Sequence, residues 1–78
     1  MVPIQCKMAR TALGLGVRDL AALADVSPDT VARFERGDEL RDRTIAAMQT
    51  ALETAGVVFI PQDTQGPGVR LRKPQKYR

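Results

Sequence analysis

Apolar residues in the first two-thirds of the chain recur every three or four positions, which is the spacing of amphipathic helices. Each of these stretches is bounded by residues that begin or end helices. Pro3 suits a first helical turn, Ser27 followed by Pro28 is a typical helix start, and Gly14 and Gly56 are typical terminators. The pattern predicts four helices, over about residues 3–13, 17–24, 28–36 and 43–55.

One face of each predicted helix is mainly apolar and is expected to lie in the core. Between the second and third helices the chain must turn sharply at Asp25, and aspartate tolerates left-handed backbone angles better than most residues. Asp42 is the candidate N-cap of the fourth helix. The residues on the inward faces are Cys6, Ala9, Arg10 and Leu13, then Val17, Leu20, Ala21 and Ala24, then Val31, Phe34 and Glu35, and finally Ile45, Met48, Leu52 and Ala55.

After Gly56 the pattern changes from helical to strand-like. The segment VVFI, residues 57–60, is β-branched and aromatic, and VRLR, residues 69–72, alternates apolar and basic positions. The intervening PQDTQGPG has the composition of a loop. The sequence therefore predicts a mostly α fold: one domain over residues 1–72, with four helices followed by a two-stranded β-hairpin, and a flexible basic tail over residues 73–78.

Two charged residues fall on helix faces that are otherwise apolar. Arg10 lies on the inward face of the first helix and Glu35 on that of the third. Removing one member of a buried ion pair typically costs about 3–5 kcal/mol, so a buried charge needs its partner. We therefore expect Arg10 and Glu35 to form an ion pair that pins the third helix against the first. The alternative is that both side chains extend to solvent at the edge of the domain.

The net charge of +3 is unevenly distributed along the chain. Residues 1–69 contain seven Lys or Arg and nine Asp or Glu, a balance of −2, whereas residues 70–78 contain five basic residues and no acidic one. A basic tail suits a phosphate backbone or an acidic protein surface. A solvated, frayed terminus explains the same composition equally well.

Composition argues against several classes of protein. No apolar run approaches the roughly 18 residues of a membrane span, and no signal-peptide pattern opens the chain. Cys6 is the only cysteine, so no internal disulfide can form, and we expect a cytoplasmic protein without membrane association. The chain has no histidine, and Cys6 falls on an inward helix face, which argues against histidine acid–base chemistry and ordinary zinc sites. We expect no enzymatic activity, cofactor or metal.

The central segment RTALGLGVRDLAALADVSPDTVARFERGDEL resembles the XRE-type helix-turn-helix family, the Cro and phage-repressor-like DNA-binding domains. The matching features are the arginine of the first helix, the Leu20-Ala21 pair, the Val-Ser start of the third helix and the FERG sequence at its end. The resemblance covers roughly residues 7–55. The ending ALETAGVVFI…GPGVRLR resembles a small bacterial subset in which a strand pair replaces the usual fifth helix. The resemblance implies a repressor-like transcription regulator that binds double-stranded DNA by sequence.

In such domains the third helix enters the major groove by its N-terminal end, and the second helix crosses the phosphate backbone. The resemblance implies that Arg33 donates hydrogen bonds to a guanine and that Asp29 accepts one from a cytosine amine. It also implies that Thr30 and the amide of Val17 contact phosphates. The two arginines beyond the third helix, Arg41 and Arg43, would contact the phosphate backbone or the minor groove. The residues that it assigns to DNA are Val17, Ser27, Pro28, Asp29, Thr30, Arg33, Arg36, Arg41 and Arg43.

The first predicted strand is apolar on both of its faces, and an isolated two-stranded hairpin is marginal in water. The hairpin must therefore pack on the helices, and Val58, Phe59 and Ile60 have reason to contact a second copy or another protein. Helix-turn-helix proteins generally bind as symmetric dimers, so a homodimer is expected.

An alternative function is a protein-binding module on the same fold. Such a module would be an antiactivator that binds and inhibits another transcription regulator, or an antitoxin-like partner. The acidic body of the chain and its uninterrupted apolar strand favour this alternative.

Overall fold

The computed structural model describes residues 1–73, and these residues form the mostly α fold that the sequence predicts. The predicted tail lies outside the described residues from position 74 onward. Within residues 1–73, four helices and two antiparallel strands follow in the expected order. The elements are α1 (Pro3–Leu13), α2 (Val17–Ala24), α3 (Pro28–Glu35), α4 (Asp42–Thr54), β1 (Val57–Ile60) and β2 (Gly68–Leu71).

Helix α3 and strand β2 each differ by one residue from the prediction. Helix α3 ends at Glu35, and Arg36 is its C-cap, with helical backbone angles and an amide that still donates to the Ala32 carbonyl. Strand β2 is shifted by one residue towards the N-terminus, to Gly68–Leu71, and Gly68 pairs with Ile60 next to the loop of the hairpin.

Helix α4 is also shifted, and two expectations about its ends are wrong. Asp42 is its first residue and not its N-cap; Arg41 occupies the N-cap position without capping through its side chain. The Asp42 carboxylate instead lies in the first turn, where it interacts favourably with the helix dipole. Ala55 is exposed and is the C-cap of the helix, which ends at Thr54, so it does not belong to the buried face.

The turns between elements use the residues that the sequence suggests. Asp25 follows α2 with φ 57° and ψ 47°, the left-handed conformation that the tight connection to α3 requires. Gly56 has φ 118°, in a region that residues with a Cβ rarely adopt, and it converts the end of α4 into β1. The turn from α2 to α3 and the turn from α4 to β1 thus each use a residue with positive φ.

The core lies between the four helices and the inner face of the hairpin. Every helix and strand β1 contribute to it, and the partly buried Leu13, Val17, Ile45 and Phe59 pack around its edge. Its fully buried members are Cys6, Ala9, Leu20, Ala21, Val31, Phe34, Met48, Leu52 and Val57.

The hairpin packs mainly on α1 and α4. Alternation along β1 places Val57 in the core, whereas Val58, which pairs with Arg70, is 39% exposed on the outer face. Phe59 is partly buried against the core of its own subunit, and its assignment to an intermolecular surface stays a prediction. Val69, which pairs with Phe59 on the neighbouring strand, also lies at the core edge, so both side chains belong to the inner face of the hairpin.

A buried glutamine fastens the hairpin to α1. Gln5 is only 4% exposed, and its Nε2 donates to the carbonyls of Ile60 at 2.8 Å and Gly68 at 3.0 Å. Its Oε1 accepts from the amide of Val2 at 2.9 Å, which caps the start of α1. Because buried polar groups need hydrogen-bond partners, this fully bonded side chain fixes the position of the hairpin's loop end.

Candidate functional site

The third helix is held from behind by the ion pair that the sequence predicts. Arg10 Nε donates to Glu35 Oε2 at 2.7 Å, and Arg10 Nη2 donates to Oε1 at 2.8 Å, a bidentate arrangement. The two side chains are 14% and 10% exposed. Arg10 Nη1 also donates to the Leu15 carbonyl at 3.0 Å, so α1 fixes both α3 and the loop that leads to α2. The alternative of two side chains extending to solvent does not occur.

The same cluster includes Cys6, whose Sγ donates to Glu35 Oε2 at 3.3 Å. Burial, together with the nearby Glu35 carboxylate, raises the pKa of the Cys6 thiol to about 12. Burial alone would raise the pKa of Glu35, but the hydrogen bonds from Arg10 and Cys6 outweigh it and hold that pKa below its ordinary value. The hydrogen bond to Glu35 raises the pKa of Arg10. The cluster is therefore a charged pair with a neutral thiol donor, which suits a structural role.

The start of α3 is well defined. Ser27 Oγ accepts from the Thr30 amide at 3.1 Å, the N-cap bond expected of a serine before a helix. The Ser27 and Thr30 hydroxyls lie 2.8 Å apart and share one hydrogen bond, and Pro28 occupies the first helical position. These contacts hold two hydroxyl groups together at the N-terminal end of the helix, next to the exposed Asp29.

The two sides of α3 differ sharply in exposure. Val31 and Phe34 are buried in the core, while Pro28, Asp29 and Arg33 are exposed on the outer side. A helix whose apolar side is buried and whose back is pinned by an ion pair presents its polar side in a fixed orientation.

A cleft runs beside this exposed side, between α3 and the segment that leads into α4. Hydroxyl and guanidinium groups from both segments line it, together with one carboxylate. The polar lining residues are Ser27, Thr30, Arg33, Glu39, Arg41 and Thr44. Hydroxyl and guanidinium groups are hydrogen-bond donors, so the cleft can bind acceptors such as phosphate or carboxylate oxygens.

Two arginines at the end of α3 share one carboxylate. Arg33 Nε and Arg36 Nη2 each lie 3.5 Å from Asp38 Oδ2, and all three side chains are between 44% and 61% exposed. Exposed ion pairs of this length contribute little stability. Asp38 therefore neutralises part of the charge of both arginines without fixing either one, and a competing anion can displace it.

The assigned residues divide among three surfaces. Four of them, Ser27, Thr30, Arg33 and Arg41, line the cleft together. Arg43 instead lines a different groove, between the end of α2 and the outer side of α4. The remaining exposed members lie on α3 itself or at its end, namely Pro28, Asp29 and Arg36.

The start of α2 departs from what the resemblance implies. The side chain of Val17 packs against the core edge, so its assignment to DNA depends on the backbone amide alone and stays a prediction. The amide of Gly16 donates to the carboxylate of Asp19 at 2.8 Å, and this bond occupies one of the donors at the helix N-terminus. Arg18, exposed on the first turn of α2, is a cation that the sequence reasoning missed; its place one residue after Val17 was the available signal.

Within residues 1–73, no group of three or more histidine, cysteine or acidic side chains is arranged to hold a metal ion. In the same part of the chain, none of the helices combines the length and apolar character that crossing a bilayer requires. No model of a known protein family matches the chain, and no curated protein sequence is significantly similar to it.

Proposed function

We propose that this protein is a sequence-specific DNA-binding transcription regulator of the XRE-type helix-turn-helix family, repressor-like in action, which inserts α3 into the major groove. The observation that supports this most strongly is the asymmetry of α3. Its inner side is buried through Val31 and Phe34, its back is fixed by the bidentate Arg10–Glu35 pair, and its outer side is open. A reading helix needs a fixed orientation, because base-edge hydrogen bonds tolerate little error in position.

The side chains of the outer side supply complementary roles. Arg33 matches the O6 and N7 acceptors of a guanine, and Asp29 accepts from a cytosine amine. The hydroxyls of Ser27 and Thr30 and the guanidinium of Arg41, which share the cleft, bind the adjoining phosphates. Arg33 leaves Asp38 on binding, which costs little because the two are 3.5 Å apart and exposed.

The charge balance of this surface determines how binding responds to salt. Between residues 27 and 44, four exposed arginines stand against the four exposed carboxylates of Asp29, Asp38, Glu39 and Asp42. Arg33 is assigned to a base and Arg43 lines a different groove, so Arg36 and Arg41 are the two arginines that we assign to phosphates in each subunit. A symmetric dimer would neutralise about four phosphates, and the logarithm of its binding constant should fall with the logarithm of salt concentration with a slope of about −3 to −4.

The proposal includes a cytoplasmic location and a homodimer. Two copies related by a two-fold axis would present their α3 helices to half-sites about one helical turn apart. A regulator of this size contacts too few bases alone to select one site in a genome, since each base pair contributes only about 1–3 kcal/mol of discrimination.

The test begins with selection of binding sites from a library of random duplexes. Fluorescence anisotropy on the selected duplex then compares Arg33→Ala with Arg70→Ala, a control that removes an exposed arginine from the hairpin. Arg33→Ala should weaken binding about tenfold to a hundredfold and relax the preference at one base pair. Arg70→Ala should leave that preference unchanged. A selection that enriches no sequence, or equal losses in the two variants, would contradict the proposal.

A second candidate is a protein-binding module that uses the same helix, as an antiactivator or antitoxin-like partner does. The shared Asp38 favours it, because a surface on which two arginines are partly neutralised suits a polar protein partner better than a polyanion. A photoreactive amino acid at position 29 in living cells separates the two candidates, with one at position 70 as control. Cross-links from position 29 to DNA support the regulator, and cross-links to one discrete polypeptide support the module.

A further inference from the structure

A second surface, distinct from the cleft beside α3, lies between the end of α2 and the outer side of α4. Leu23 forms one wall of this groove and is 57% exposed, the most exposed large apolar side chain in the described residues. The opposite wall belongs to α4 and consists of small side chains, namely Ala46, Ala47, Thr50, Ala51 and Thr54. A bulky residue and a row of short ones thus face the same groove.

We propose that this groove is the contact surface of a homodimer, with a second copy of the chain as its occupant. In an isologous interface the same patch meets itself across a two-fold axis, so it must contain both a projection and a recess. Leu23 is the projection, and the small residues of α4 leave the recess. Each subunit would insert its Leu23 against the α4 wall of its partner.

The charges at the groove support this choice of occupant. Asp25 and Arg43 both line it, and within residues 1–73 neither forms an ion pair or a side-chain hydrogen bond. A two-fold axis through the groove would bring Arg43 of each copy towards the partner's Asp25. The surface therefore complements itself in charge as well as in shape, which a heterologous partner would have to match by coincidence.

The position of the groove is compatible with the function proposed above, although the inference does not depend on it. No residue of α3 lines the groove, so a second copy would leave the outer side of α3 open. The groove is small beside a standard protein interface, so we expect a dimer that depends on concentration.

Self-association is measured without DNA, so that its failure and the failure of DNA binding are distinguishable. Sedimentation equilibrium of the full chain from about 1 to 500 μM should show a monomer–dimer equilibrium. Leu23→Glu should raise the dimer dissociation constant at least about tenfold. Ile4→Glu is the matched control, because Ile4 is 51% exposed on α1 and lies outside the groove. Both variants should keep the wild-type circular dichroism spectrum and, at concentrations where the wild type is monomeric, its melting temperature.

The charged pair is tested by neutral substitutions that keep the local backbone. Asp25→Asn retains a side chain that tolerates left-handed angles, and Arg43→Gln keeps a flexible polar chain. Each should weaken the dimer severalfold, and the double variant should be no weaker than either single one, because the interaction is lost once. A wild type that stays monomeric throughout the range would overturn the inference. Equal effects of Leu23→Glu and Ile4→Glu, or additive losses from the two charge variants, would overturn it as well.

Discussion

Helix α1 fastens two different regions of the molecule, and it does so by different chemistry. Towards its C-terminal end, Arg10 pairs with Glu35 and fixes α3. Towards its N-terminal end, Gln5 bonds the carbonyls of Ile60 and Gly68 and fixes the hairpin. One attachment is an ion pair with both members largely shielded from water, and the other is a neutral amide that meets only backbone.

The two regions also differ in what they leave exposed. The outer side of α3 and its cleft combine hydroxyls, arginines and carboxylates, whereas the outer face of β1 exposes chiefly Val58, beside the charged Arg70. The stronger attachment therefore belongs to the region with the richer set of binding groups. A bidentate ion pair fixes direction as well as distance, so it suits a helix that has to be presented in one orientation.

The largest expected effect comes from breaking the ion pair. Arg10→Met leaves the Glu35 carboxylate largely buried without its partner and removes the donor to the Leu15 carbonyl. We expect the free energy of unfolding to fall by about 3 kcal/mol or more, as measured by urea denaturation. Hydrogen exchange should quicken first at α3 and the loop after α1, and later at the hairpin.

The double variant Arg10→Met with Glu35→Leu serves as the control. Replacing both members removes the unpaired charge, so part of the lost stability should return. If Arg10→Met alone leaves the urea midpoint unchanged, the pair does not hold α3, and the comparison between the two attachments fails.

A smaller effect, confined to the other region, is expected from Gln5→Ala. The variant removes three hydrogen bonds, to two hairpin carbonyls and from the Val2 amide. Its cost should be about 1–3 kcal/mol, because groups left without partners are partly buried. Amide exchange should quicken in β1 and β2 while α3 keeps its protection. Gln62→Ala, in the exposed loop, is the control and should change neither.

The contrast between the two attachments also explains how far the sequence could be interpreted. Arg10 and Glu35 were recognisable because each is a charge at an apolar helix position, and opposite charges suggest one another. Gln5 sits one residue before Cys6 and its partners are carbonyl groups, which every residue has, so no side-chain pattern identifies them. Pairings between side chains leave a trace in the sequence, whereas a side chain that bonds distant backbone leaves none.

The candidate site was predictable to a similar degree. The exposure of Asp29 and Arg33 follows from helical spacing once Val31 and Phe34 are placed inside. The placement of Arg41 and Arg43 in different grooves does not follow from helical spacing. The two residues lie on either side of Asp42, where α4 begins, and their directions depend on the geometry of that helix start. The contact of Asp38 with both Arg33 and Arg36 does not follow from the spacing either, because it depends on how the chain folds back after Gly37.

A third, pH-dependent effect tests the electrostatic part of the Arg10–Glu35 attachment. The folded state holds the pKa of Glu35 below its usual value, which is about 4.3 in an unfolded chain. The pair therefore contributes fully above about pH 4.3 and loses its contribution as pH falls through the lower folded-state pKa. The stability difference between the wild type and Glu35→Gln should be constant near neutral pH and shrink below about pH 4. A difference that grows on acidification would contradict the assignment.

The smallest expected effect concerns the outer face of the hairpin. Val58→Asp places a charge at a site that is 39% exposed and lies opposite Arg70, so it should cost no more than about 1 kcal/mol, mainly through its lower strand propensity. Its sedimentation should match that of the wild type, because the proposed dimer contact lies at Leu23 and α4 and not at the hairpin. If Val58→Asp instead converts a dimer into a folded monomer while Leu23→Glu does not, the hairpin is the interface after all. The hairpin, whose outer face exposes fewer binding groups than α3 does, would then be the region that forms the dimer.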